Sequence, residues 1–294
     1  MLNPRKILVI RFSSLGDLVL TTPIFRELKR FYPDAEITLL TSSGLGSVLD
    51  NNSQIDHIIM HSRKETRMQL KFLIQNLRKE KYDLIYDAHR SLRSIWIVWN
   101  LSGFGILKKP EVWSINKRSW QRSLLIRLKL NLLKKTDPQR LHLLRPLQTH
   151  TNLELHNQTE LFPDKSAILR TQEFLKKHNL QPKQFVAIGP SASYPLKCWP
   201  LEYFQVLISN LLEQGWHVVL VGAAEEKETT QLEEEFSGRV QSVAGLFSPL
   251  ESAELLRHAS IVVTNDTSVG HLAEAMCTPA LVLFGATVRE FGYA

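Results

Sequence analysis

Asp17 is placed where its carboxylate could perform acid–base chemistry. It ends a polar turn, Ser13–Asp17, that follows a short apolar run and precedes a helical pattern from Leu18 to Arg30 with Pro23 near its start. Strand, turn and helix open many doubly wound α/β domains, and the first helix N-terminus usually receives a phosphate. A fixed anion would repel a phosphate, so Asp17 predicts a substrate hydroxyl whose proton it could remove. The alternative is that Asp17 only caps its helix.

A second group of candidate residues follows strand patterns in the other half of the chain. Ile261–Thr264 leads into small polar residues and then a helical pattern, Leu272 to Met276, while a polar loop, Gly189–Trp199, follows another strand. Small side chains and N–H groups at a helix N-terminus bind anions, and a loop lysine adds positive charge. Open α/β sheets bind ligands at strand C-terminal ends, which predicts a pyrophosphate clamp. Its members are Lys197, Thr267, Ser268, Gly270 and His271.

The surrounding sequence predicts two α/β domains. Apolar runs of strand type alternate with helical patterns, which indicates βαβ units and parallel sheets. The predicted strands are Ile7–Arg11, Ile37–Thr41, Ile58–Met60, Leu84–Asp87, Phe185–Ile188, His217–Val221, Ile261–Thr264 and Ala280–Phe284. Residues 1–165 and 166–294 are expected to form two Rossmann-like domains facing a cleft. Thr136–Lys165 is interpreted as an irregular linker, and the few residues after the last strand indicate a truncated second domain.

Charge is distributed unevenly along the chain. Residues 1–180 hold 30 Lys and Arg against 16 Asp and Glu, whereas residues 181–294 hold 6 against 13. The basic half predicts an anionic partner, either nucleic acid or a lipid surface that carries phosphates. A basic amphipathic stretch, Asn116–Lys135, favours the lipid surface, since no nucleic-acid-binding pattern accompanies it.

Composition and missing motifs exclude several classes of protein. The chain is 44% hydrophobic and 22% charged, as in soluble globular proteins, and its two cysteines lack metal-ligand spacing. No secretory signal is expected, because an apolar strand pattern starts within a few residues of the N-terminus. The sequence contains no GxxxxGK[ST], GxGxxG, GxSxG or HExxH motif. No two aspartates stand one residue apart, so a pyrophosphate leaving group would be neutralised by Lys197 and helix dipoles without a divalent ion.

Four separated stretches carry a resemblance to a known family. They read ILVIRFSSLGDLVLTTPIFRELKRFYP, YDAHRSLRS, GPSASYPLKCWPLEYF and TNDTSVGHLAEAMCTPALVLFGAT. In this order they resemble glycosyltransferase family 9, the ADP-heptose:lipopolysaccharide heptosyltransferases. The resemblance implies a GT-B fold with a basic acceptor domain and a nucleotide-sugar domain. It also implies metal-independent heptosyl transfer with inversion.

The resemblance assigns roles to individual positions. It implies a general base at Asp17. It implies donor phosphate contacts at Ser193, Lys197, Asp266, Thr267 and His271. An acidic residue near the ribose would be Glu225 or Glu226. Ser268 departs from the family pattern, which usually has glycine there, so it could crowd the phosphate or add a hydroxyl donor.

The expected partners are a nucleotide sugar and an anionic glycolipid, with no nucleic acid and no metal. Basic side chains that could grip acceptor phosphates are Arg63, Lys64, Arg67, Arg90 and Arg93. The protein is expected in the cytoplasm, peripheral on the inner face of the cytoplasmic membrane. Asp87 and His89 could line the cleft or cap the next helix, and Trp96, Trp99 and Trp113 are interpreted as core or membrane-facing bulk.

The sequence is compatible with two other functions. Ser268 and the short C-terminus are compatible with a sugar-nucleotide-binding or scaffold protein that has lost turnover. Positive charge alone would fit a nucleic-acid-binding protein.

Overall fold

The chain divides into two compact α/β units. The computed structural model describes residues 3–62, 64, 66–103, 109–117, 119–131, 138–151, 154–224 and 226–285. Unit 1 holds the described residues up to Gln158, and unit 2 holds those from Thr159. Each unit is built on a five-stranded parallel sheet, which confirms the predicted fold class at this level.

Unit 1 alternates strands and helices, with one 3₁₀ turn at Gly46–Leu49. Its sheet has the order β3-β2-β1-β4-β5, so the strand order reverses between β1 and β4. The elements are β1 Lys6–Ile10, α1 Leu15–Val19, α2 Thr22–Phe31, β2 Glu36–Ser42, β3 His57–His61, α3 Arg67–Glu80, β4 Leu84–Asp87, α4 Leu92–Ser102, β5 Glu111–Ser114, α5 Ser119–Leu128 and α6 Gln139–Thr151.

Helices cover both faces of the unit 1 sheet. On one face, α3 and α4 pack on a core that includes Leu8 and Ile85 of the strands and Ile97 of α4. On the other face, the Tyr86 hydroxyl donates to the carbonyl of Leu143 in α6. Burial raises the pKa of Tyr86, so this phenol stays protonated and keeps its hydrogen bond. A sheet buried on both faces explains why its strands are nearly continuous apolar runs.

The sheet of unit 2 has the same topology as the sheet of unit 1. It has the order β10-β9-β6-β7-β8, and the strand order reverses between β6 and β9. A 3₁₀ turn occupies Pro195–Lys197. The elements are α7 Lys165–Lys177, β6 Phe185–Gly189, α8 Leu201–Glu213, β7 His217–Leu220, α9 Lys227–Glu235, β8 Gln241–Ser242, α10 Pro249–His258, β9 Ile261–Asn265, α11 Ser268–Ala275 and β10 Ala280–Leu283.

The predicted strands are confirmed, each within one residue of its expected ends. The predicted irregular linker was wrong in part, because α6 forms within it. Leu143, Leu144 and Leu147 bury one side of this helix, and that burial offsets the cost of Pro146 in its interior.

The single helix expected from Leu18 to Arg30 is also corrected, because two helices, α1 and α2, occupy this segment. Pro23 lies at the second position of α2, where a missing N–H costs little, so the helix starts afresh there. The expected truncation of the second domain concerns residues after Gly285, which lie outside the described residues.

Candidate functional site

Asp17 lies just after β1, beside the point where the strand order of unit 1 reverses. Its Oδ2 atom accepts hydrogen bonds from the Ser14 N–H at 3.1 Å and the Ser14 hydroxyl at 3.3 Å. The same oxygen lies 2.7 Å from Nη2 of Arg11. Asp17 therefore caps α1 and is also half of an ion pair. Its side chain is 20% exposed, so these contacts orient a carboxylate that solvent can reach.

Arg11 is a functional candidate that the sequence reasoning missed. It is 5% exposed, and besides Asp17 it donates from Nη1 to the carbonyl of Ala88 at 2.6 Å. Its Nε donates to the carbonyl of Ser13 at 3.0 Å. The planar guanidinium thus joins the ends of β1 and β4 and holds Asp17 between them. The available signal was a charged residue ending a buried apolar strand, because such a charge requires a partner.

Asp87 organises the neighbouring strand end. Its buried Oδ1 accepts hydrogen bonds from the N–H groups of His89 at 3.0 Å and Arg90 at 2.7 Å. Its Oδ2 accepts a hydrogen bond from the Ser94 hydroxyl at 3.0 Å. These bonds support Arg90 at a φ of 49°, in the left-handed region, and they fix the start of α4. The N-cap of α4 is Ser91, so Asp87 supports the turn before the helix and does not itself cap it.

The predicted acceptor-binding cations follow β3 and β4 at the same sheet edge as Asp17. Lys64 and Arg67 are exposed, and Arg67 is the first residue of α3. Arg90 donates from Nη1 to the carbonyl of Ile115 at 3.0 Å, so it also connects two loops. Arg63 lies outside the described residues.

Arg93 links the loop after β3 to the end of β1. Its Nη1 lies 3.5 Å from the carbonyl oxygen of Ser62, and its guanidinium lies 5.7 Å from the centre of the Phe12 ring. The structure therefore brings the described cations of this group to one edge, near the Asp17 turn.

In unit 2, the loops after β6 and β9 are tied together by backbone and side-chain contacts. The Thr264 hydroxyl donates to the carbonyl of Gly189 at 3.1 Å. The side chain of Asn265 donates from Nδ2 to the carbonyl of Pro190 and accepts from the N–H of Trp199 at 3.0 Å. One buried amide thus fixes both ends of the lysine-bearing loop. Sequence reasoning did not identify Asn265 in this role, because an asparagine after a strand is usually interpreted as a turn residue.

Lys197 and Asp266, both predicted for the donor site, are brought together. Lys197 Nζ lies 2.6 Å from Asp266 Oδ2, with side-chain exposures of 30% and 9%. Among the described residues, this is the one contact made by the Lys197 ammonium, which has three donors. Ser193 is exposed in the same loop. Burial raises the pKa of Cys198, so this neighbouring thiol stays protonated at neutral pH.

Helix α11 begins at Ser268, two residues after Asp266. Thr267 is its N-cap, accepting from the Val269 N–H at 3.3 Å and lying 3.2 Å from the Thr264 hydroxyl. The first N–H groups of a helix lack acceptors within the helix, so this terminus favours an anion. A side chain at Gly270 would lie 3.1 Å from Val282 Cγ2, so this glycine also lets α11 pack on β10.

Two further predicted residues lie in the first turns of α11. Ser268 occupies the first helical position. His271 is 17% exposed, and its Nδ1 lies 3.9 Å from Glu274 Oε2. Both are placed beside the Asp266 turn, as predicted.

The end of β7 carries the acidic candidate for ribose binding. Glu225 lies outside the described residues. Glu226 is the N-cap residue of α9, and its Oε2 would be 2.1 Å from a side chain built on Gly222. The glycine therefore lets the Glu226 carboxylate lie against the strand end, next to the Thr229 hydroxyl at 3.4 Å.

Two kinds of feature are absent from the part of the chain that the structure describes. Within the described ranges, no helix is both long enough and apolar enough to cross a membrane. The same ranges contain no group of three or more His, Cys, Asp or Glu side chains arranged to hold a metal ion. Metal independence stays a prediction.

Comparison with known proteins defines the class of this fold and site. Residues 71–292 match the model of glycosyltransferase family 9 (heptosyltransferase). The chain is 28% identical over 290 residues to lipopolysaccharide heptosyltransferase 3 of Escherichia coli, covering 94% of this chain and 82% of that protein.

Solved structures show the same fold. A family 9 glycosyl transferase from Veillonella parvula matches with a TM-score of 0.81 and 20% identity, over 99% of this chain and 83% of that one. An E. coli heptosyltransferase solved with ADP-2-deoxy-2-fluoro heptose matches with a TM-score of 0.70 and 18% identity, over 96% and 90%. The chain belongs to glycosyltransferase family 9, which confirms the family resemblance. It is therefore a glycosyltransferase that uses a nucleotide sugar.

Proposed function

We propose that this protein transfers a heptose from an ADP-sugar to a lipopolysaccharide core acceptor, with inversion and without a metal ion. The observation that carries this proposal is the Arg11–Asp17 pair, which orients an accessible carboxylate at the switch point of unit 1. Support also comes from the relative named as a lipopolysaccharide heptosyltransferase and from the similar structure that holds an ADP-heptose analogue.

In the proposed reaction, Asp17 takes the proton of an acceptor hydroxyl as its oxygen attacks the anomeric carbon of the donor. The bond from that carbon to the β-phosphate oxygen breaks, and ADP leaves with the electron pair. Attack opposite the leaving group inverts the anomeric configuration. General-base assistance of this kind is typically worth about 10²–10⁴-fold in rate.

The donor phosphates are assigned to unit 2. Lys197 donates to the departing diphosphate while Asp266 holds its ammonium in place. The N-terminus of α11, with Thr267, Ser268 and His271, supplies the second set of donors. Glu225 or Glu226 would contact the ribose.

The acceptor is assigned to the basic edge of unit 1. Lys64, Arg67, Arg90 and Arg93 would contact phosphate groups of the glycolipid core, with Arg63 as a further candidate. Such an acceptor resides in a membrane, so we place the protein peripherally on the inner face of the cytoplasmic membrane.

A second candidate function is a sugar-nucleotide-binding protein with impaired turnover. The Lys197–Asp266 ion pair favours it, because the carboxylate partly neutralises the cation assigned to the leaving group. Binding of ADP-sugar without product formation would be its signature.

The proposal is tested with ADP-heptose and a deacylated lipopolysaccharide core, with product followed by mass spectrometry and its anomeric configuration by NMR. We expect an inverted heptosyl product that forms equally well in EDTA, and a preference for the ADP-sugar over UDP-, GDP- and CMP-sugars. A thermal-shift series with the same nucleotide sugars measures binding separately. Tight ADP-sugar binding with no transfer would favour the binding protein, and a retained configuration would contradict the mechanism.

A further inference from the structure

Helix α4 exposes an apolar stripe. Leu92, Ile95, Trp96 and Trp99 recur at helical spacing and are 88%, 47%, 38% and 64% exposed. The opposite side of the helix, which includes Ile97, is buried against the sheet. The helix is therefore apolar on both sides, and one side lacks a covering element among the described residues. Exposed apolar patches of this kind mark interaction sites.

The neighbouring helix extends the patch. On α3, Met68 and Phe72 are 80% and 62% exposed. The two helices lie side by side, and Arg78 of α3 donates to the carbonyl of Asn100 in α4 from Nε at 3.0 Å and Nη2 at 2.8 Å. We call this surface the α3–α4 face, comprising Met68, Phe72, Leu92, Ile95, Trp96 and Trp99.

The charge of the two helices identifies the chemistry of a partner. The two helices carry five basic side chains and one acidic side chain, Glu80. The Glu80 carboxylate is paired with Lys6, with Oε2 2.8 Å from Nζ. The basic residues are Arg67, Lys71, Arg78, Lys79 and Arg93. Apolar and tryptophan side chains edged by cations are suited to the interface of an anionic bilayer. Two copies of this chain meeting at the same face would bring like charges together, which disfavours a symmetric dimer.

The position of the face relates it to the Asp17 turn. Helices α3 and α4 start after β3 and β4, so their first turns lie at the carboxyl edge of the sheet, where Asp17 lies. Arg93, in the first turn of α4, contacts Ser62 after β3 and the Phe12 ring after β1. A bilayer held on this face would therefore lie beside the edge assigned to the acceptor.

We propose that the α3–α4 face docks unit 1 on an anionic lipid bilayer, with Trp96 and Trp99 inserted at the headgroup level. This inference rests on the proposed function for the identity of the acceptor, and it locates the membrane contact on α3 and α4. The sequence favoured Asn116–Lys135 instead. In that stretch Leu124 and Leu125 are half-buried, while Leu128 and Leu130 are 61% and 54% exposed. Its described part thus exposes two large apolar side chains, against six on the α3–α4 face.

The test measures flotation of the purified chain with vesicles of phosphatidylglycerol and phosphatidylcholine, and with phosphatidylcholine alone. We expect binding to the anionic vesicles that weakens in high salt. The double variant Leu92→Ser/Trp99→Ser should bind roughly 10–100-fold more weakly, because two apolar side chains no longer leave water. Leu169→Ser on α7, which changes a leucine that is 57% exposed, is the matched control and should bind as wild type does.

Activity measurements separate this inference from the proposed function. With a deacylated acceptor in solution, the double variant should transfer as fast as wild type, whereas with acceptor in anionic vesicles it should be slower. Unchanged vesicle binding in the double variant would overturn the inference, as would a wild-type dimer that the variant dissociates. Absence of transfer with the soluble acceptor would overturn the proposed function and leave the vesicle result to decide the docking surface.

Discussion

The Lys197–Asp266 pair permits a test of whether the lysine serves the fold or the reaction. Lys197→Ala leaves Asp266 as a largely buried carboxylate without its ammonium partner at 2.6 Å. Because both groups keep some exposure, we expect the free energy of unfolding to fall by about 1–3 kcal/mol, between the values for surface and buried pairs. Loss of a cationic donor to the leaving group should lower kcat by about 10²–10³-fold.

A double-mutant cycle with Asp266→Asn separates the two effects. The variant Lys197→Ala/Asp266→Asn also removes the negative charge that has lost its lysine, so most of the lost stability should return. Its kcat should stay low, because the donor to the diphosphate is still missing. Urea unfolding measures the first quantity, and initial rates of transfer at saturating ADP-sugar measure the second. Recovery of kcat together with stability in the double variant would refute a role for Lys197 at the leaving group.

Three further predictions concern the elements that position the two sites. Gly189→Ala should destabilise unit 2 by about 1–3 kcal/mol, measured by urea unfolding, because the new side chain would lie 2.7 Å from Thr264 Oγ1. Asp87→Ala should lower the free energy of unfolding by about 2–3 kcal/mol in the same assay, because the N–H groups of His89 and Arg90 and the Ser94 hydroxyl lose this acceptor. ADP affinity should stay unchanged, because the substitution lies in unit 1. Burial alone would raise the pKa of Asp56, but hydrogen bonds from the Ile37 N–H and Lys29 hold it below its usual value of 3.8. Asp56 therefore stabilises the fold above about pH 4 and loses this effect as the pH falls, so Asp56→Asn should lower the urea midpoint at pH 7 more than at pH 3.

The sheets were predictable from sequence because each inner strand is buried on both faces. Such strands must be apolar throughout, as in Ile7–Ile10 and Phe185–Ile188, and the polar residues that follow them then fall at one sheet edge. That rule placed Asp17 and Lys197 at strand ends. The short edge strands β5 and β8 were missed, since each offers only a few residues and little apolar pattern.

What the sequence could not supply was which polar groups pair. Arg11 contacts Asp17 six residues away, and Lys197 contacts Asp266 across a much longer separation. The second pair depends on two loops meeting at a sheet edge, which local spacing does not encode. The first pair depends on the segment from β1 into α1 folding back on itself, so that Arg11 and Asp17 meet. Helix α6 was missed for a related reason, because Pro146 suggests a break and only the tertiary burial of its leucines outweighs it.

The central claim is that Asp17 removes the acceptor proton, and the most direct measurement is the single-turnover rate of transfer by Asp17→Asn. This variant keeps the shape of the side chain and removes its charge. We predict a rate about 10²–10⁴-fold below wild type with ADP-sugar affinity unchanged, while Ser14→Ala, which alters the same cap but keeps the carboxylate, stays close to wild type. A rate for Asp17→Asn equal to that of Ser14→Ala would contradict the account.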